Sequence, residues 1–522
     1  MRFIWSEFFR EDYAIPKINL REDFISNDLD LKEKGLNMKK LLLYCFIIGI
    51  VISMIATFSL VGCKATAETA TETTTVAETT VAATTVAETT TEKERTDFGP
   101  VVFWIQDSSA GNTVALEKYL DELISKFYDK TKIKVTYNII PWGEALAKHD
   151  LASTGGEAPD VMHEFYLGTR VIQGEGKYGP IPLNDYIIEK FGSIDAFKEI
   201  FSAGVVDSVD VSPFGEIMGV PVAGDAQLMV IRDDLFKEAG IIDAEGNAKA
   251  PTTYSELLED AKKLTIDKDN DGKIDQYGIA IGGSIGQGFW RASEWPIFHC
   301  GLNVVTDDFK KSALDDPLLI ESFQFVRDLL TVHKVVSPSI GSPDYAGQED
   351  LGQGLAAIQL TGSVEQTAYF QENFPNAILS GHVQPKGFKT NWAQSWVQTY
   401  CIYRQSEHTE AALEWLWFIT EPENEKVLAE LFNNPFMDKE VFEWQLSTKN
   451  DPLWAGLKEQ YEAGIISQDL PMKEWPKISG WEEGDPLHDL IYNLWDPKSG
   501  SIEEILKKAN DQINEILTEG AK

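Results

Sequence analysis

The folded part of the chain is predicted to begin with a run of consecutive apolar residues at 101–105. Such a run is typical of a strand that is buried on both faces of a sheet. Apolar residues then recur at helical spacing from Leu116 to Phe127, which predicts an amphipathic helix. From 132 to 139 polar and apolar residues alternate, which predicts a second strand. A strand, a helix and a strand in this order predict a βαβ unit and hence a parallel sheet.

The same alternation of strands and helices continues along the chain. Thr253, followed three residues later by Glu256, predicts the capped start of a helix, and 411–419 predict an aromatic-rich helix. Short apolar runs predict further strands at 160–162, 218–222, 227–231, 355–360 and 399–403. Alternating strands and helices over this length predict the α/β fold class.

A longer apolar stretch precedes the folded part. Residues 41–60 are uncharged, follow two lysines, and end on Leu-Val-Gly-Cys at 60–63, which resembles a bacterial lipobox. We therefore predict a lipoprotein signal peptide at 38–62 and a lipidated Cys63 that anchors the mature protein to the membrane. An uncleaved transmembrane helix is the alternative, because the run is long enough to span a bilayer. Both interpretations place the bulk of the chain outside the cytoplasm.

Two segments that flank this stretch contribute nothing to the predicted fold. Residues 1–37 are interpreted as a non-structural leader, with Met38 as a candidate translation start, or as the short cytoplasmic tail of an uncleaved anchor. Residues 64–96 are almost all Thr, Ala, Val and Glu, so they have too little apolar surface to offset the entropy of ordering. With Cys63 they predict a disordered tether at 63–97, and an interaction module is the alternative.

Charge and composition narrow the classes of partner. The chain has 46 basic and 83 acidic residues, which give a formal net charge of −37. Because this charge repels phosphate, we expect no nucleic-acid partner and no electrostatic docking on anionic lipid. The seven His residues show no metal-ligand spacing and are interpreted as incidental. Cys300 and Cys401 either pair or remain buried free thiols, and the second interpretation is favoured.

Several short motifs point to one family. Trp104 ends the first strand, 156–161 follow the pattern G-x-x-P-D-V, and Gly-Val-Pro-Val at 219–222 precedes Leu-Phe-Lys-Glu-Ala-Gly at 235–240. Gly-Ser at 362–363 follows a predicted strand. In this order, and with the aromatic helix that follows them, these motifs resemble the family-1 solute-binding proteins of ABC importers, the sugar-binding type related to maltose-binding protein. The resemblance covers about 101–442 and departs at Arg232-Asp233, where Asn-Lys is usual.

The resemblance implies a two-lobed clamshell of the type II periplasmic-binding-protein class, with mixed parallel sheets and a hinge. The first lobe is predicted at 98–223 plus 360–402 and the second at 228–358 plus 405–522. The implied function is that of a substrate-binding lipoprotein, which captures a carbohydrate, an oligosaccharide above all, and delivers it to the transmembrane permease subunits of an ABC importer. The implied protein is a monomer without enzymatic activity, anchored by lipid at the cell membrane, in the periplasm or at the cell surface.

Sugar binding sets requirements on the site. A neutral sugar presents apolar C–H faces and hydroxyl groups, so it needs flat aromatic rings together with carboxylate and amide partners. In an α/β sheet these groups are expected at the carboxyl ends of strands. Applied to the predicted strands and two Trp-rich loops, this rule gives the candidate ligand-binding residues Gln106, Asp107, Trp142, Glu164, Tyr166, Asp225, Trp290, Trp295, Ser363, Glu365, Trp392 and Trp396. For each Trp, packing in a core is an equally weighted alternative.

One acidic loop resembles a calcium-binding loop. Carboxylates stand at its positions one, three, five and nine, with Gly272 at position six, where the sharp turn needs glycine. The candidate ligands are Asp267, Asp269, Asp271, Lys273 and Asp275, with Ca²⁺ in a structural role. Position twelve is Gly278 rather than Glu, and the loop is predicted to lead from a helix into a strand. A plain acidic turn is therefore the alternative.

Two other functions remain open from the sequence. A surface glycoside hydrolase needs two carboxylates at a fixed separation, and the many acidic residues leave room for such a pair. The chain contains neither an H-E-x-x-H motif nor a phosphate-binding loop. A sensor subunit or an adhesin on the same fold is the third interpretation.

Overall fold

The computed structural model describes residues 97–520, apart from 110–111, 165–176, 203, 207–214, 282–294, 342–346, 433, 450, 468–469 and 480–483. The predicted leader, signal peptide, lipidated Cys63 and tether up to residue 96 lie outside the described residues. Within the described ranges, no helix is both long and apolar enough to cross a membrane.

Strands and helices alternate as the periodicity predicts. The strands are β1 Val101–Gln106, β2 Val135–Ile140, β3 Val161–Glu164, β4 Val220–Ala226, β5 Leu228–Arg232, β6 Tyr277–Ala280, β7 Ala356–Gly362, β8 Leu379–His382, β9 Ala393–Ile402 and β10 Ile465–Ser467. The helices are α1 Thr113–Thr131, α2 Trp142–Gly155, α3 Asn184–Phe191, α4 Ile194–Lys198, α5 Asp233–Glu238, α6 Tyr254–Leu264, α7 Pro317–Thr331, α8 Gly347–Gln353, α9 Thr367–Asn373, α10 Thr409–Ile419, α11 Pro422–Leu431, α12 Lys439–Lys449, α13 Pro452–Ala463, α14 Trp475–Ile478, α15 Pro486–Trp495 and α16 Ile502–Gly520. Short 3₁₀ turns lie at Pro338–Gly341, Val364–Gln366 and Pro497–Ser499.

The first sheet has the strand order β10-β9-β3-β1-β2, with β4 paired to β9. β1 pairs in parallel with β2 and with β3, which confirms the predicted βαβ unit. β9 runs antiparallel to both β3 and β4, so the sheet is mixed. Thr253 accepts a hydrogen bond from the Glu256 N–H at the start of α6, as the capping pattern predicts.

The second sheet has the order β6-β7-β5-β8. β5 is antiparallel to β7 and β8, whereas β6 runs parallel to β7. Only Gln227 separates β4 of the first sheet from β5 of the second, so the chain crosses between the sheets at the point that the sequence predicts.

Strand pairing and packing correct two of the predicted lobe boundaries. The first hydrophobic core contains the first sheet together with Leu228 and Val230 of β5, and the second contains Met229 and Ile231 of β5 together with apolar residues of β6 and β7. β7 and β8 pair with β5, so these two strands belong to the second sheet, although the sequence predicts that 360–402 lies in the first lobe. The helices α10 to α12 pack in the first core, although the sequence predicts that everything after 405 lies in the second lobe. The reason is aromatic packing, because Trp415 contacts Phe103 of β1 and Phe127 of α1 at ring-centroid distances of 5.7 and 5.1 Å.

The last part of the chain returns to the second lobe. α13 lies against β8, where a Cβ atom on Gly456 would come within 2.3 Å of the Gly381 carbonyl group. Only glycine permits this close approach. α14 to α16 then join the second core. Cys300 and Cys401 are both buried and form no disulfide, which is the interpretation that the sequence favours, and burial raises the pKa of Cys300 to about 11.

Candidate functional site

The carboxyl ends of β1 and β2 lie side by side, because Gln106 stands opposite Ile140 in the parallel register. Directly after them, the Asp107 N–H donates a hydrogen bond to the Ile140 carbonyl oxygen at 2.9 Å. Trp142, which begins α2, is 47% exposed, whereas Gln106 is 2% exposed. An exposed indole therefore follows one strand end, and a buried amide closes the neighbouring one.

Asp107 is held by the turn that leads into α1. Its Oδ1 accepts hydrogen bonds from the N–H and the hydroxyl of Ser109, and its Oδ2 accepts one from the Thr113 hydroxyl. Burial alone would raise the pKa of Asp107, but these hydrogen bonds hold it below its ordinary value. Asp107 is therefore an ionised carboxylate fixed in one orientation at the sheet edge.

A buried carboxylate ends β3. Glu164 is fully buried, its Oε2 lies 3.2 Å from His149 Nδ1, and the Tyr403 hydroxyl donates to the same oxygen at 3.1 Å. Partners of this kind are needed because an isolated charge is costly in the interior. Among the described residues, Gln106 Oε1 and His149 Nε2 have no hydrogen-bond partner. Two buried polar atoms at this edge can thus serve a ligand or an ordered water.

The neighbouring His163 points to the opposite face of the sheet, since side chains alternate along a strand. Its ring packs 5.0 Å from that of Tyr400, and its Nδ1 accepts a hydrogen bond from the Gln106 N–H at 3.3 Å. Burial, together with the charge of His149, lowers the pKa of His163 to about 3. His163 is therefore a neutral core residue at physiological pH.

Three of the predicted residues meet where the two sheets join. Asp225 of β4 accepts a hydrogen bond from the Glu365 N–H at 3.0 Å. Glu365 Oε1 in turn accepts hydrogen bonds from Trp396 Nε1 at 2.9 Å and from Asn434 Nδ2 at 2.6 Å. Asp225, Glu365, Trp396 and Asn434 are called the hinge cluster below. The cluster links the first sheet to the turn after β7 of the second sheet, and its carboxylates are engaged in holding that link.

The other candidate ligand-binding residues that the structure describes are buried or half-buried and pack against other parts of the protein. Trp295 is 1% exposed and packs in the second core against Tyr254 and His299, which is the core alternative. Trp392 is half-buried, and its indole lies against Gly464. Ser363 is fully buried at the start of the 3₁₀ turn Val364–Gln366. Tyr166 and Trp290 lie outside the described residues.

Sequence reasoning missed three residues of these clusters, namely His149, Tyr403 and Asn434. His149 was interpreted as incidental because it has no metal-ligand spacing. The sequence signal that could have singled it out is its helical spacing from Ala145 and Ala152, which lie with it on the buried face of α2. Tyr403 and Asn434 are brought to their partners by chain segments far apart in sequence.

The acidic loop gathers most of its carboxylates. One carboxylate oxygen each from Asp267, Asp269 and Asp275 lies within 4.8 Å of the other two. Gly272 adopts a φ of 90°, in the left-handed region that favours glycine. The Asp271 carboxylate lies 3.2 Å from Lys273 Nζ instead. The loop leads from α6 into β6, as the sequence predicts, and three carboxylates suit a hard cation.

Comparison with known proteins adds two kinds of similarity in sequence. The family described as bacterial extracellular solute-binding protein matches residues 110–426. A putative binding protein of Brucella abortus (strain 2308) is 29% identical over 153 residues, which cover 28% of this chain. The chain spans 32% of the length of this curated relative.

Solved structures show the same fold. The sugar-binding protein MalE of Xanthomonas citri superposes with a TM-score of 0.63 at 16% identity, over 80% of this chain and 97% of that chain. A cyclo/maltodextrin-binding protein complexed with maltotetraose gives 0.62 at 18% identity, over 83% and 99%. The cyclic α-maltosyl-1,6-maltose binding protein of Arthrobacter globiformis gives 0.61 at 17% identity, over 81% and 100%. These likenesses show a two-lobed mixed α/β fold.

Proposed function

Since the chain belongs to the bacterial extracellular solute-binding proteins, which act outside the cytoplasm, we propose that it captures a carbohydrate and delivers it to the permease of an ABC importer. We propose an oligosaccharide in particular, because two of the similar structures are proteins whose ligands are glucose oligomers, maltotetraose and a cyclic maltosyl-maltose. In this proposal the protein acts as a monomer, and lobe closure on the ligand changes the surface that the permease meets.

The observation that carries the proposal is the exposed indole of Trp142 at a sheet edge that otherwise ends in buried polar groups. A large aromatic ring that is 47% exposed offers a flat surface to the C–H face of a sugar. The same edge also offers three polar groups: the fixed carboxylate of Asp107, the amide oxygen of Gln106 and a ring nitrogen of His149. Aromatic and polar groups in this combination suit a neutral polyhydroxy ligand.

The test is a thermal-shift screen of the protein against maltose, maltotriose, maltotetraose, tagatose and ribitol. A ligand that binds only the folded state stabilises it by mass action and so raises the unfolding midpoint. At a ligand concentration of a hundred times Kd, the stabilisation is about 2.7 kcal/mol. At least one oligosaccharide should raise the midpoint. A screen in which every compound leaves the midpoint unchanged would contradict the proposal.

Enzymatic hydrolysis is the competing function. The family consists of binding proteins, and we propose that this chain leaves its ligand intact. Gly-Gly-Ser-Ile-Gly at 282–286 matches G-x-S-x-G, the motif of serine acyl hydrolases, although these residues lie outside the described part of the chain. Cleavage of a glycosidic bond needs two carboxylates instead. The pattern alone is weak, because a nucleophilic serine also needs a base and an oxyanion hole. Chromatography of the sugars after long incubation separates the two functions, since an enzyme forms product and a binding protein does not.

We also propose that the protein is held at the membrane by lipid on Cys63, as the lipobox resemblance indicates. Replacing Cys63 by Ser should release the protein from the membrane fraction. Cys300→Ser is the matched control, because Cys300 is buried in the second core and should leave the fractionation unchanged. If the Cys63→Ser variant stays in the membrane fraction as the Cys300→Ser variant does, Cys63 does not anchor the protein.

The acidic loop is proposed to bind Ca²⁺ in a structural role. Asp267, Asp269 and Asp275 offer converging oxygen ligands, and a bound cation would relieve the repulsion between them. Added calcium should raise the thermal midpoint and a chelator should lower it, whereas an Asp267→Asn variant should respond to neither. A midpoint that ignores the chelator would show that the loop is a plain acidic turn.

A further inference from the structure

A pocket lies in the first lobe, away from the hinge cluster. It has a volume of about 290 Å³ and is bounded by the ends of α3 and α10, by α4, and by the start of α11. It contacts β4 at Val220, the first residue of that strand, whereas Asp225 of the hinge cluster lies near the other end. At the rise of an extended strand, roughly 17 Å separates the two positions.

Aromatic rings line much of this pocket. Phe191 lies 5.3 Å from Phe197 and 5.5 Å from Trp417, measured between ring centroids. Lys190 Nζ lies 5.6 Å from the ring centroids of both Phe191 and Trp417. The faces of aromatic rings attract cations through their quadrupole, so the mouth of the pocket already holds one ammonium group.

The deeper wall carries two carboxyl groups. Glu425 is 2% exposed, and its Oε2 has no hydrogen-bond partner among the described residues. Asp438 is 6% exposed and accepts hydrogen bonds from the backbone N–H groups of Glu440 and Val441. Burial, and then the charge of Asp438, raise the pKa of Glu425 well above its ordinary value. The pocket therefore pairs an aromatic mouth with a buried carboxyl group, one oxygen of which has no hydrogen-bond partner among the described residues.

From this geometry we propose that the pocket binds a small alkylammonium cation against the rings of Phe191 and Trp417. Glu425 releases its proton to the solvent when the cation enters and becomes its counter-ion. The volume of about 290 Å³ lies at the lower end of the range for small-molecule pockets, which begins near about 300 Å³, so it has room for a small alkylammonium ion. An anion would be repelled by either carboxyl group in its ionised form. A neutral apolar ligand would leave the Glu425 oxygen buried without a partner, which is costly.

Lys190 does not compete strongly for the site. Its side chain is exposed, so its interaction with the rings is weakened by water and salt. Its flexible stem can leave the ring faces when another cation enters. A ligand cation gains more, because it also reaches the buried Glu425 carboxyl group.

Calorimetric titration with tetramethylammonium chloride tests the proposal, with tert-butanol as a neutral compound of similar shape. The wild-type protein should bind the cation and not the alcohol. Glu425→Gln removes the counter-ion without changing its shape and should weaken binding about tenfold or more. Glu423→Gln is the matched control, because Glu423 is exposed on the same helix and the charge change is identical. It should bind as the wild type does.

A second variant keeps the test valid if Glu425→Gln does not fold. Trp417→Leu should also weaken tetramethylammonium binding, and the intrinsic fluorescence of the wild type should change on titration because Trp417 lines the mouth. Circular dichroism confirms that each variant is folded. Absence of cation binding to the wild type, equal binding of tert-butanol, or equal losses in the Glu423 and Glu425 variants would overturn the proposal.

Discussion

Removing the Glu365 carboxylate should destabilise the protein much more than removing an exposed acid. In the hinge cluster, Glu365 Oε1 accepts hydrogen bonds from Trp396 Nε1 at 2.9 Å and Asn434 Nδ2 at 2.6 Å. Trp396 is 3% exposed and Asn434 is 8% exposed, so water cannot readily replace the lost acceptor. A hydrogen bond to a charged group contributes about 1.5 kcal/mol at the lower end, which suits a partly exposed carboxylate. Glu365→Ala should therefore lower the free energy of unfolding by about 3 kcal/mol.

Urea denaturation followed by tryptophan fluorescence measures this loss. Glu365→Gln keeps an acceptor oxygen and should lose only about 1 kcal/mol. Glu372→Ala is the matched control, because Glu372 is exposed on α9, and its change should stay within about 0.5 kcal/mol. If Glu365→Ala and Glu372→Ala have the same unfolding free energy, the hinge cluster does not hold the two sheets together.

Three further predictions concern stability and are checked by the same denaturation assay. Folding lowers the pKa of His163 from 6.5 to about 3. The neutral His163 ring therefore makes its full contribution to the free energy of unfolding above about pH 6.5, and this contribution is lost as the pH falls towards 3. The free energy of unfolding should thus fall by about 1.4 kcal/mol between about pH 7.5 and 5.5, and less in a His163→Gln variant. Gly456→Ala should destabilise by several kcal/mol, because its Cβ would meet the Gly381 carbonyl at 2.3 Å, whereas Gly143→Ala has nothing within 4 Å and should be neutral or mildly stabilising. Trp295→Ala should lose about 3–5 kcal/mol as a core residue, and a loss under 1 kcal/mol would contradict its placement in the core.

The local parts of the fold follow from the sequence, because periodicity reports which face of an element is buried. The first strand, the helix Thr113–Thr131 and the strand Val135–Ile140 are confirmed for this reason. The lobe boundaries were harder to predict. An apolar stripe identifies α10 as a helix, but it does not tell which sheet the helix covers. That choice depends on long-range contacts such as the one between Trp415 and Phe103.

In the candidate site, too, the sequence predicts local features but not long-range contacts. The rule that polar groups gather at the ends of strands selected Asp225, Glu365 and Trp396, which the structure brings into one cluster. The rule does not distinguish a carboxylate that faces a ligand from one that already holds a neighbouring side chain. It also misses Asn434, which approaches Glu365 only because the chain after α11 folds back over the first sheet. The burial of Trp295 is likewise a tertiary property.

The most direct test of the central claim is calorimetric titration of the wild type and of Trp142→Ala with the oligosaccharide that gives the largest thermal shift. Tyr492→Ala serves as the control, since Tyr492 is an exposed aromatic residue on α15, far along the chain from the sheet edge. If a sugar is held against the Trp142 ring, the wild type and Tyr492→Ala bind with equal affinity, and Trp142→Ala binds at least about tenfold more weakly. Equal affinity in all three proteins, or no heat of binding in the wild type, would contradict the account.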